Sequence, residues 1–519
     1  MDNSKEHHAE ASGDMPLKAT YREWVGLAII ALPCLVYAMD LTVLNLALPV
    51  ISLELRPSAS QLLWIIDIYG FFLAGFLITM GTLGDRTGRR KLLMIGASAF
   101  LVTSVAAAFS KSTETLILMR ALMGISAATF APSTLSLIRN MFLDPQERGL
   151  AIAIWITSFS IGSVIGPFIG GLLLEYYWWG AGFLVAVPVM ILLLALGPFL
   201  LPEYKDPNAG RLDIVSAVLS LCTVLLMIYG LKQLATYGLS VLPILSIVAG
   251  LFLGRIFIRR QTSIAYPLLD LGLFSNRRFT ASLVAFGLSC LAMLGIYIYV
   301  TQYLELVLGM SPFWAGVYTM PWAAAFVVGS LITPRLSRSL PVKVIVVGGL
   351  ALAAFGIALL MLVTDSAGVV PLIAGTALTS LGLAPVFTLG NEIIVTAAPA
   401  ERAGSASAIS ETCSEFCAAL GIAVFGSLGN LFYRLGMSEK YPVAKLDALS
   451  PENLTNLGNT LAASEKLSAP LKEAVVMHAK SVFVDSMHIA AFCGALLLVF
   501  ASVLTAGILK TRSGEGPGP

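Results

Sequence analysis

Four acidic residues lie within long apolar stretches of the sequence, where a charge is costly. Asp40 is the only charged residue in the stretch 24–48, which is long enough to cross a bilayer because a spanning helix needs about 20 mostly apolar residues. A carboxylate at the bilayer centre costs on the order of 2.5–3.5 kcal/mol on insertion scales, so it usually has a function. Asp67, Glu411 and Glu415 interrupt other apolar stretches in the same way.

The chemistry open to these acids is proton exchange or cation binding. Basic side chains are almost absent from the same stretches, and only Arg120 lies well inside one of them. Asp40 lies roughly 12 Å from the nearer end of its helix at 1.5 Å per residue, which places it near mid-membrane. Asp67 follows Trp64 by three residues, and an acid beside an aromatic ring can hold a lipophilic cation by charge and by a cation–π interaction of about 0.5–2 kcal/mol. The alternative for both acids is a structural or interfacial carboxylate.

Two glutamates and a buried arginine extend this pattern. Glu411 and Glu415 are four residues apart and so share one helix face, and adjacent carboxylates in a low dielectric suit a proton relay. Glu392 and Glu305 lie close to predicted span ends, where solvation at the interface is the simpler explanation, so they are secondary candidates. Arg120 needs a carboxylate or carbonyl partner, and a structural ion pair and a role in proton transfer both remain open.

The composition indicates a polytopic membrane protein. The chain has 519 residues, of which 57% are hydrophobic and 12% are charged, whereas soluble proteins carry about 25% charged residues. The formal net charge of +2 says little about partners, because the side of the membrane on which the charges lie matters more than their total, and no nucleic-acid partner is expected. All six cysteines lie in apolar stretches, and no histidine accompanies Cys413 and Cys417 at ligand spacing, so we expect neither a disulfide framework nor a metal site.

The sequence offers no chemistry of an enzyme. Histidine pairs within spans, a nucleophile elbow and a nucleotide-binding loop are all missing from it. A membrane-embedded enzyme or sensor is therefore disfavoured, and no cofactor is expected.

Apolar runs bounded by proline, glycine and charge predict fourteen membrane-spanning helices. Only helices and closed barrels satisfy backbone polar groups in lipid, and these runs are too long for barrel strands, so the predicted fold is all-α. The predicted spans are 24–48, 62–84, 91–110, 113–136, 149–173, 180–201, 212–235, 238–260, 279–305, 312–335, 342–364, 368–396, 404–434 and 483–510.

The basic residues predict the orientation. Most of the 32 Lys and Arg residues fall in the loops on the side of the N-terminus, whereas the short loops of the other side and their flanks, including Lys232, hold few. Because short basic loops stay in the cytoplasm, both termini are predicted to be cytoplasmic. Residues 1–23 and 511–519 are then cytoplasmic tails, the first span is retained, and 435–482 is a polar outer loop with room for short amphipathic helices.

The loop after the second span carries glycines, an acid and a row of bases: Gly81-Thr-Leu-Gly-Asp85-Arg86-Thr-Gly88-Arg89-Arg90-Lys91. Gly81 allows close helix approach, Gly88 permits a tight reversal, and Asp85 can pair with Arg86 or Arg89. Such a turn can latch two helix ends in one state and release them in another, although a plain basic loop is the alternative. The pattern resembles the loop signature of the major facilitator superfamily. A weaker copy, without the acid, lies at 329–343.

Three further motifs narrow the resemblance. They are Asp40-Leu-Thr42-Val-Leu-Asn45-Leu-Ala-Leu-Pro49, Arg120-Ala-Leu-Met-Gly124 and Gly162-Ser-Val-Ile-Gly166-Pro167-Phe-Ile-Gly170-Gly171. The last is similar to the signature of antiporters in the superfamily, although Ala153 stands where that signature has a glycine. Its glycines let helices touch and Pro167 supplies a kink, so we expect a conformational role at the contact between two bundles.

Together with fourteen spans, this set resembles the fourteen-span drug:proton antiporter family, and within it the exporters of quaternary ammonium compounds and dyes. The resemblance covers residues 24–510 and implies two six-helix bundles, 24–201 and 279–510, with two inserted helices in 202–278. It also implies export driven by the proton gradient across a bacterial cytoplasmic (inner) membrane by a monomer without a cofactor.

Asp40 is the leading coupling candidate, with Glu415 expected to face it from the opposite bundle. Seven aromatic residues are candidates to line an apolar cavity, although each alone is more often core or interface: Tyr37, Trp64, Trp155, Tyr297, Tyr299, Phe313 and Trp322. Acids with few matching bases favour lipophilic cations as substrates. The alternative on the same fold is an exporter of an anionic or zwitterionic compound, or of a metal–drug chelate as in tetracycline exporters. Such a substrate needs basic residues in the cavity, where only Arg120 is available.

Overall fold

The computed structural model describes residues 18–57, 59–205, 213–237, 240–264, 267–364, 368–399, 402–440, 454 and 456–508. Within these ranges the secondary structure is helical and contains no strand. Fourteen of the described segments are long and apolar enough to cross a membrane. The predicted all-α class and the predicted number of spans are therefore confirmed. Of the predicted tails 1–23 and 511–519, residues 1–17 and the whole of 511–519 lie outside the described residues.

Seventeen α-helices occur in the described part of the chain. They are α1 (Tyr21–Leu55), α2 (Ala59–Thr87), α3 (Arg89–Ala108), α4 (Thr113–Ala127), α5 (Phe130–Met141), α6 (Pro145–Tyr176), α7 (Ala181–Leu184), α8 (Ala186–Leu200), α9 (Ile214–Tyr237), α10 (Val241–Gln261), α11 (Arg277–Gln302), α12 (Pro312–Leu336), α13 (Val342–Leu359), α14 (Val369–Ala397), α15 (Ala403–Lys440), α16 (Leu457–Ser464) and α17 (Ala469–Ile508). Helices α4 and α5 form one span, as do α7 and α8, and a π-helical turn, Tyr303–Val307, extends α11.

The predicted span limits agree with the helices to within a few residues, except around the predicted outer loop 435–482. There α15 continues to Lys440 and α17 begins at Ala469, so both helices extend beyond the predicted ends of their spans. Hydropathy marks where a helix leaves the bilayer, but a helix continues into water when its polar side chains are solvated or bonded. Lys480, for example, donates from Nζ to the Val307 carbonyl at 2.7 Å. The short helix α16 lies between them, as predicted.

Two hydrophobic cores contain most of the buried residues. One is formed mainly by residues between Leu27 and Leu201, and the other by residues between Ala285 and Ala501. We call helices α1–α8 the N-terminal half and helices α11–α17 the C-terminal half.

The α9–α10 hairpin lies beside the junction of the halves. Helix α9 packs against α2 and α15 in a cluster that includes Phe71, Ile228 and Ala423. Helix α10 leaves large apolar side chains such as Leu245 and Phe252 exposed, as expected of a helix in lipid. The hairpin thus contacts both halves, mainly through α9.

An ion pair joins the two ends of this hairpin. Arg260 at the end of α10 donates to the carboxylate of Asp213, just before α9, at 2.7 and 3.0 Å. The Arg260 guanidinium holds the pKa of Asp213 well below its usual range, and a hydrogen bond from Ser216 acts in the same direction. Gln261 donates to the Ser216 hydroxyl at 2.8 Å. The hairpin is therefore closed at the end where its basic residues lie.

We call the end of the molecule with the Arg86–Lys91 loop the basic end, and there the halves are joined through Asp85. Asp85 pairs with Arg89 and accepts hydrogen bonds from Ser405 of α15, at 3.1 Å from the backbone N and 2.7 Å from the hydroxyl. Arg89 is buried and donates to the Gly81 carbonyl at 2.9 Å. The predicted pairing of the acid with an arginine is present. Gly88 has φ +112°, a conformation that only glycine adopts easily.

Two further contacts at the basic end join the halves. Arg139 of α5 donates to the carbonyls of Val395 and Pro399 at 2.5 and 3.1 Å. Arg148 of α6 lies 4.0 Å from the carboxylate of Glu392 in α14. Among the described residues, no hydrogen bond or ion pair joins α1–α8 to α11–α17 at the opposite end. The molecule is therefore closed by polar contacts at its basic end.

A valine at position 404 should open this contact, because a Cβ on Gly404 overlaps the Arg89 guanidinium. Overpacking costs about 1–3 kcal/mol, which shifts a two-state equilibrium by a factor of roughly 5 to 150. Spin labels on the exposed residues Thr87 and Ser337 should report a larger population of long distances in Gly404→Val. The control is Gly426→Val in the same helix, where a Cβ meets nothing within 4 Å. Equal distance distributions in both variants would show that Gly404 does not set the closure.

Candidate functional site

Asp40 of α1 forms an ion pair with Arg120 of α4 inside the N-terminal half. The arginine is fully buried and the Asp40 side chain is 9% exposed. Arg120 also donates from Nε to the Ile65 carbonyl at 3.3 Å, and its guanidinium lies 4.6 Å from the ring centroid of Tyr69. The expectation that this acid lacks a matching base is therefore wrong. The two residues are 80 positions apart in the sequence, so motif spacing alone does not predict that they form a pair.

Asp67 of α2 also has a basic partner, which comes from the inserted hairpin. Lys232 of α9 pairs with it, and the lysine Nζ lies 5.0 Å from the ring centroid of Phe71. The rings of Trp64 and Tyr229 stack beside them with centroids 6.5 Å apart. The sequence predicted an acid with an aromatic ring and assigned Lys232 to a loop flank. In the structure this lysine side chain instead points toward Asp67 and Phe71, and its ammonium group occupies the position expected for a cationic ligand.

Of the four intramembrane acids singled out in the sequence, Glu411 and Glu415 of α15 have no ion pair among the described residues. Tyr37 of α1 donates from its hydroxyl to Glu415 Oε1 at 3.1 Å, so this hydrogen bond connects the two halves. Glu411 has no hydrogen-bond partner within the described part of the chain. The two carboxylates repel each other, and the Lys232 ammonium attracts Glu415 through space. Negative charge is therefore least balanced at this point of the membrane core.

A continuous path of polar and aromatic groups connects Glu415 with Asp40. The rings of Tyr37 and Tyr69 are 6.1 Å apart, and Tyr69 lies against Arg120, which pairs with Asp40. The Tyr69 hydroxyl is buried and has no hydrogen-bond partner in the described structure. Glu415 thus faces Asp40 through two tyrosines rather than directly.

Sequence reasoning missed Tyr69 and Lys232 as members of the site. Tyr69 lies two residues after Asp67, and on a helix this spacing points the two side chains toward different neighbours. The signal for Lys232 is a charge within the last turns of an apolar span, a position that counting basic residues assigns to the flank of an outer loop. A long lysine side chain can also extend inward along a helix surface to reach an acid.

Two of the predicted cavity residues belong to the packed cores instead. Trp155 is 1% exposed and donates from Nε1 to the Thr134 hydroxyl at 2.9 Å. Tyr299 is 5% exposed and donates to the Phe425 carbonyl at 2.5 Å. Both side chains satisfy their polar group within their own half, as buried aromatic residues usually do. The prediction that Trp155 lines a cavity is therefore wrong, whereas Tyr299 also borders a cavity of about 340 Å³ between α11 and α15.

The other aromatic candidates remain accessible. Tyr297 and Trp322 meet edge to face at 5.2 Å between α11 and α12. Phe313 is largely exposed near the start of α12. Glu305 is exposed on the π-helical turn after α11. Within the described structure none of these residues has a hydrogen bond, ion pair or ring contact with Tyr37 or Glu415, and they stay candidates only.

The antiporter-like motif packs α6 against α1 within the N-terminal half. Its residues in α6 are Gly162, Gly166, Pro167, Gly170 and Gly171. A Cβ on Gly162 or Gly166 overlaps residues 35–42 of α1, and one on Gly170 lies 3.2 Å from Val43. The expectation that this motif forms the contact between bundles is therefore wrong. Its small residues bring α6 against the helix that carries Asp40.

Metal binding finds no support in the site. Within the described residues, no group of three or more His, Cys, Asp or Glu side chains could hold an ion. All six cysteines are free, and the thiols of Cys413 and Cys417 lie 3.9 Å apart on α15.

Comparison with known sequences identifies the family. The sequence profile of the Major Facilitator Superfamily matches residues 30–422. The chain belongs to this superfamily. It is 41% identical over 483 residues to the multidrug efflux pump LfrA of Mycolicibacterium smegmatis, covering 93% of this chain and 95% of that protein. It is 33% identical over 497 residues to the methyl viologen resistance protein SmvA of Salmonella typhimurium, covering 95% and 99%.

A solved structure shows the same fold. The human organic anion transporter MFSD10 superposes with a TM-score of 0.61 at 16% identity, covering 93% of this chain and 99% of that one. The superfamily predicted from the loop motifs is confirmed. The protein is a membrane transporter and not an enzyme.

Asp40→Asn should destabilise the protein, because it leaves the Arg120 guanidinium buried without a counter-charge. Breaking a buried pair in this way costs about 3–5 kcal/mol. We expect this loss in the free energy of unfolding measured in detergent micelles, and we expect Asp40→Asn/Arg120→Met to recover most of it. Asp67→Asn is the matched control, since its pair is roughly one-third exposed and such pairs contribute at most about 1 kcal/mol. Equal stability of Asp40→Asn and the wild type would contradict the structural role of the pair.

Proposed function

We propose that the protein is a proton-coupled multidrug antiporter that exports lipophilic cations, including quaternary ammonium compounds, dyes and biocides. One observation carries the proposal: the two glutamates at the junction of the halves, Glu411 and Glu415, have no basic partner within ion-pair distance in the described structure. Asp40 and Asp67, by contrast, are each paired with a base. Unbalanced negative charge in a membrane core is costly and indicates a site that takes up positive charge.

A proton and a cationic substrate can each balance the glutamate pair, and this competition provides the coupling. Binding of a proton from outside removes the charge that holds the cation, and arrival of a cation favours release of the proton. Exchange then needs only that the site be open to one side at a time, as in alternating access by two halves. The contacts of the Asp85–Arg89 loop with α15 are suited to hold one of these states.

The hydrogen bond from Tyr37 to Glu415 is the point at which charge can be converted into movement. Glu415 accepts this bond across the two halves, so a change in its charge alters how strongly α1 is held to α15. The same tyrosine leads through Tyr69 to the Asp40–Arg120 pair. We therefore assign the proton to the glutamates and the positioning of α1 to Asp40.

The relatives favour drug export. They include a multidrug efflux pump and a methyl viologen resistance protein, each matched over more than nine-tenths of both chains. The aromatic rings around Asp67 provide apolar surface beside an acid, a combination that suits lipophilic cations.

Export of an anionic or zwitterionic compound, or of a metal–drug chelate, is the competing proposal. Two bases lie near the site, and both are engaged: Arg120 with Asp40 and Lys232 with Asp67. An anion would have to displace a carboxylate from one of them. This arrangement favours cations, and competition between labelled ethidium and cationic or anionic compounds distinguishes the two.

For the orientation, we propose that the basic end faces the cytoplasm, together with both termini. Its loops carry Arg86, Arg89, Arg139 and Arg148, and short basic loops are retained on the cytoplasmic side. The conformation described here is then closed toward the cytoplasm. Since one chain supplies both halves of the site, we propose a monomer as the working unit.

Glu415→Gln should abolish proton-driven transport, because a neutral amide cannot exchange a proton. In proteoliposomes with an imposed pH gradient, ethidium movement should fall to the level of empty vesicles, while ethidium counterflow without a gradient persists. Glu411→Gln tests the second carboxylate in the same assay. Glu473→Gln, which neutralises an exposed acid of α17 outside the site, is the control and should behave as the wild type. A wild-type pH-driven rate in both Glu415→Gln and Glu411→Gln would refute the assignment of the proton to these residues.

Lys232→Met should strengthen the binding of divalent cations, because it removes the ammonium that already occupies Asp67 and the adjacent rings. From the cation–π contribution of about 0.5–2 kcal/mol, we expect a bis-quaternary ammonium compound to bind roughly 2- to 30-fold more tightly. Adding Asp67→Asn should remove the gain. Lys111→Met, which deletes an exposed lysine at the end of the molecule opposite the basic end, is the control. Weaker binding of the divalent compound to Lys232→Met would show that the lysine supports the site rather than competes for it.

A further inference from the structure

A cavity lies between the α9–α10 hairpin and α15, outside the path from Glu415 to Asp40. Its volume is about 540 Å³. Residues of all three helices line it, among them Thr223, Met227, Leu251, Arg255, Arg259 and Phe416. The proposed transport mechanism makes no use of this space.

The cavity extends from the basic end to the middle of the membrane. Helix α9 begins and α10 ends at the basic end, at Ile214 and Gln261. At 1.5 Å per residue, Arg259 lies roughly 3 Å and Met227 roughly 20 Å from these helix ends. One leaflet contributes about half of the 30 Å hydrocarbon thickness. The cavity therefore has the depth of a single acyl chain in one leaflet.

Its walls and its mouth differ in chemistry. The deeper walls are largely apolar and include Val224, Met227 and Phe416, whereas Arg255 and Arg259 are exposed at the shallow end. Neither arginine has a side-chain hydrogen bond or an ion pair with another described residue. The neighbouring Arg260, by contrast, is bound to Asp213. Two adjacent guanidinium groups are thus available at the depth of the lipid headgroups.

We propose that this cavity binds an anionic phospholipid from the leaflet at the basic end. The phosphodiester contacts Arg255 and Arg259, and one acyl chain lies along the apolar surfaces of α9, α10 and α15. Basic pockets between spanning helices attract anionic headgroups in this way. The same two positive charges repel a lipophilic cation, so charge complementarity favours lipid over transport substrate as the occupant.

A lipid in this position contacts the helix that carries the two unpaired glutamates. Thr412 and Phe416 line the cavity and each directly follows one of the acids, Glu411 and Glu415. Bound lipid would fill the gap between the inserted hairpin and α15 and hold them together. The proposal assigns a ligand to the hairpin and stands whether or not the protein exports cations.

Lipid binding to the purified full-length protein tests the proposal. Native mass spectrometry should show retained phosphatidylglycerol, and this lipid should raise the unfolding temperature more than phosphatidylethanolamine does. Arg255→Gln/Arg259→Gln should weaken phosphatidylglycerol binding roughly tenfold or more, since each basic residue near a lipid surface contributes about 1 kcal/mol. Arg277→Gln/Arg278→Gln removes two exposed charges at the same end, outside the cavity, and should bind as the wild type does.

A variant that fills the cavity distinguishes binding of the acyl chain from binding of the headgroup. Thr223→Phe should lose phosphatidylglycerol although both arginines remain, and inorganic phosphate should not stabilise the wild type. The proposal is overturned if the Arg255/Arg259 variant binds the lipid as tightly as the wild type, or if the Arg277/Arg278 control loses it equally. It is also overturned if phosphate alone stabilises as well as the lipid does, or if ethidium displaces the lipid.

Discussion

Negative charge in the membrane must be balanced close by, and the arrangement of the helices around the site follows from how each acid meets this requirement. Asp40 is balanced within its own half by a buried arginine. Asp67 is balanced by a lysine that arrives on an inserted helix. The two glutamates of α15 have a tyrosine hydroxyl and the more distant attraction of that lysine. The acids thus differ in how their charge is balanced: Asp40 has a permanent buried partner, Asp67 has a partly exposed one, and the charge of the two glutamates is left for a transient ligand to neutralise.

These differences assign different roles to different parts of the chain. The Asp40–Arg120 pair lies among tightly packed helices, with α6 pressed against α1 by small residues, and it therefore gives the N-terminal half a fixed internal structure. The glutamates lie where the halves meet, and a change in their charge acts on the contact between rigid bodies. The inserted hairpin touches both halves, mainly through α9, and this helix brings Lys232 to Asp67. We regard the hairpin as a third component and not as a linker.

Much of the fold could be predicted from the sequence because a bilayer leaves few alternatives. Apolar runs of sufficient length must be helices, so the number of spans and most of their limits followed directly. The pairing of charges could not be predicted in the same way. Arg120 and Asp40 are brought together by helix packing, and Lys232 reaches Asp67 from a span end that hydropathy places at the interface. The cavity role given to Trp155 failed because composition does not tell which face of an aromatic-bearing helix turns toward its own core.

The closure at the basic end is made largely to the main chain. Arg139 donates across the halves to the carbonyl oxygens of Val395 and Pro399, and Arg89, which supports the closure from within the N-terminal half, donates to that of Gly81. A carbonyl oxygen is present whatever side chain its residue carries, so residues 395 and 399 can change identity without loss of their acceptor. The arginines have no such freedom. Sequence drift is thus tolerated on one side of the closure and restricted on the other, and the gate can keep its geometry while the surface around it evolves.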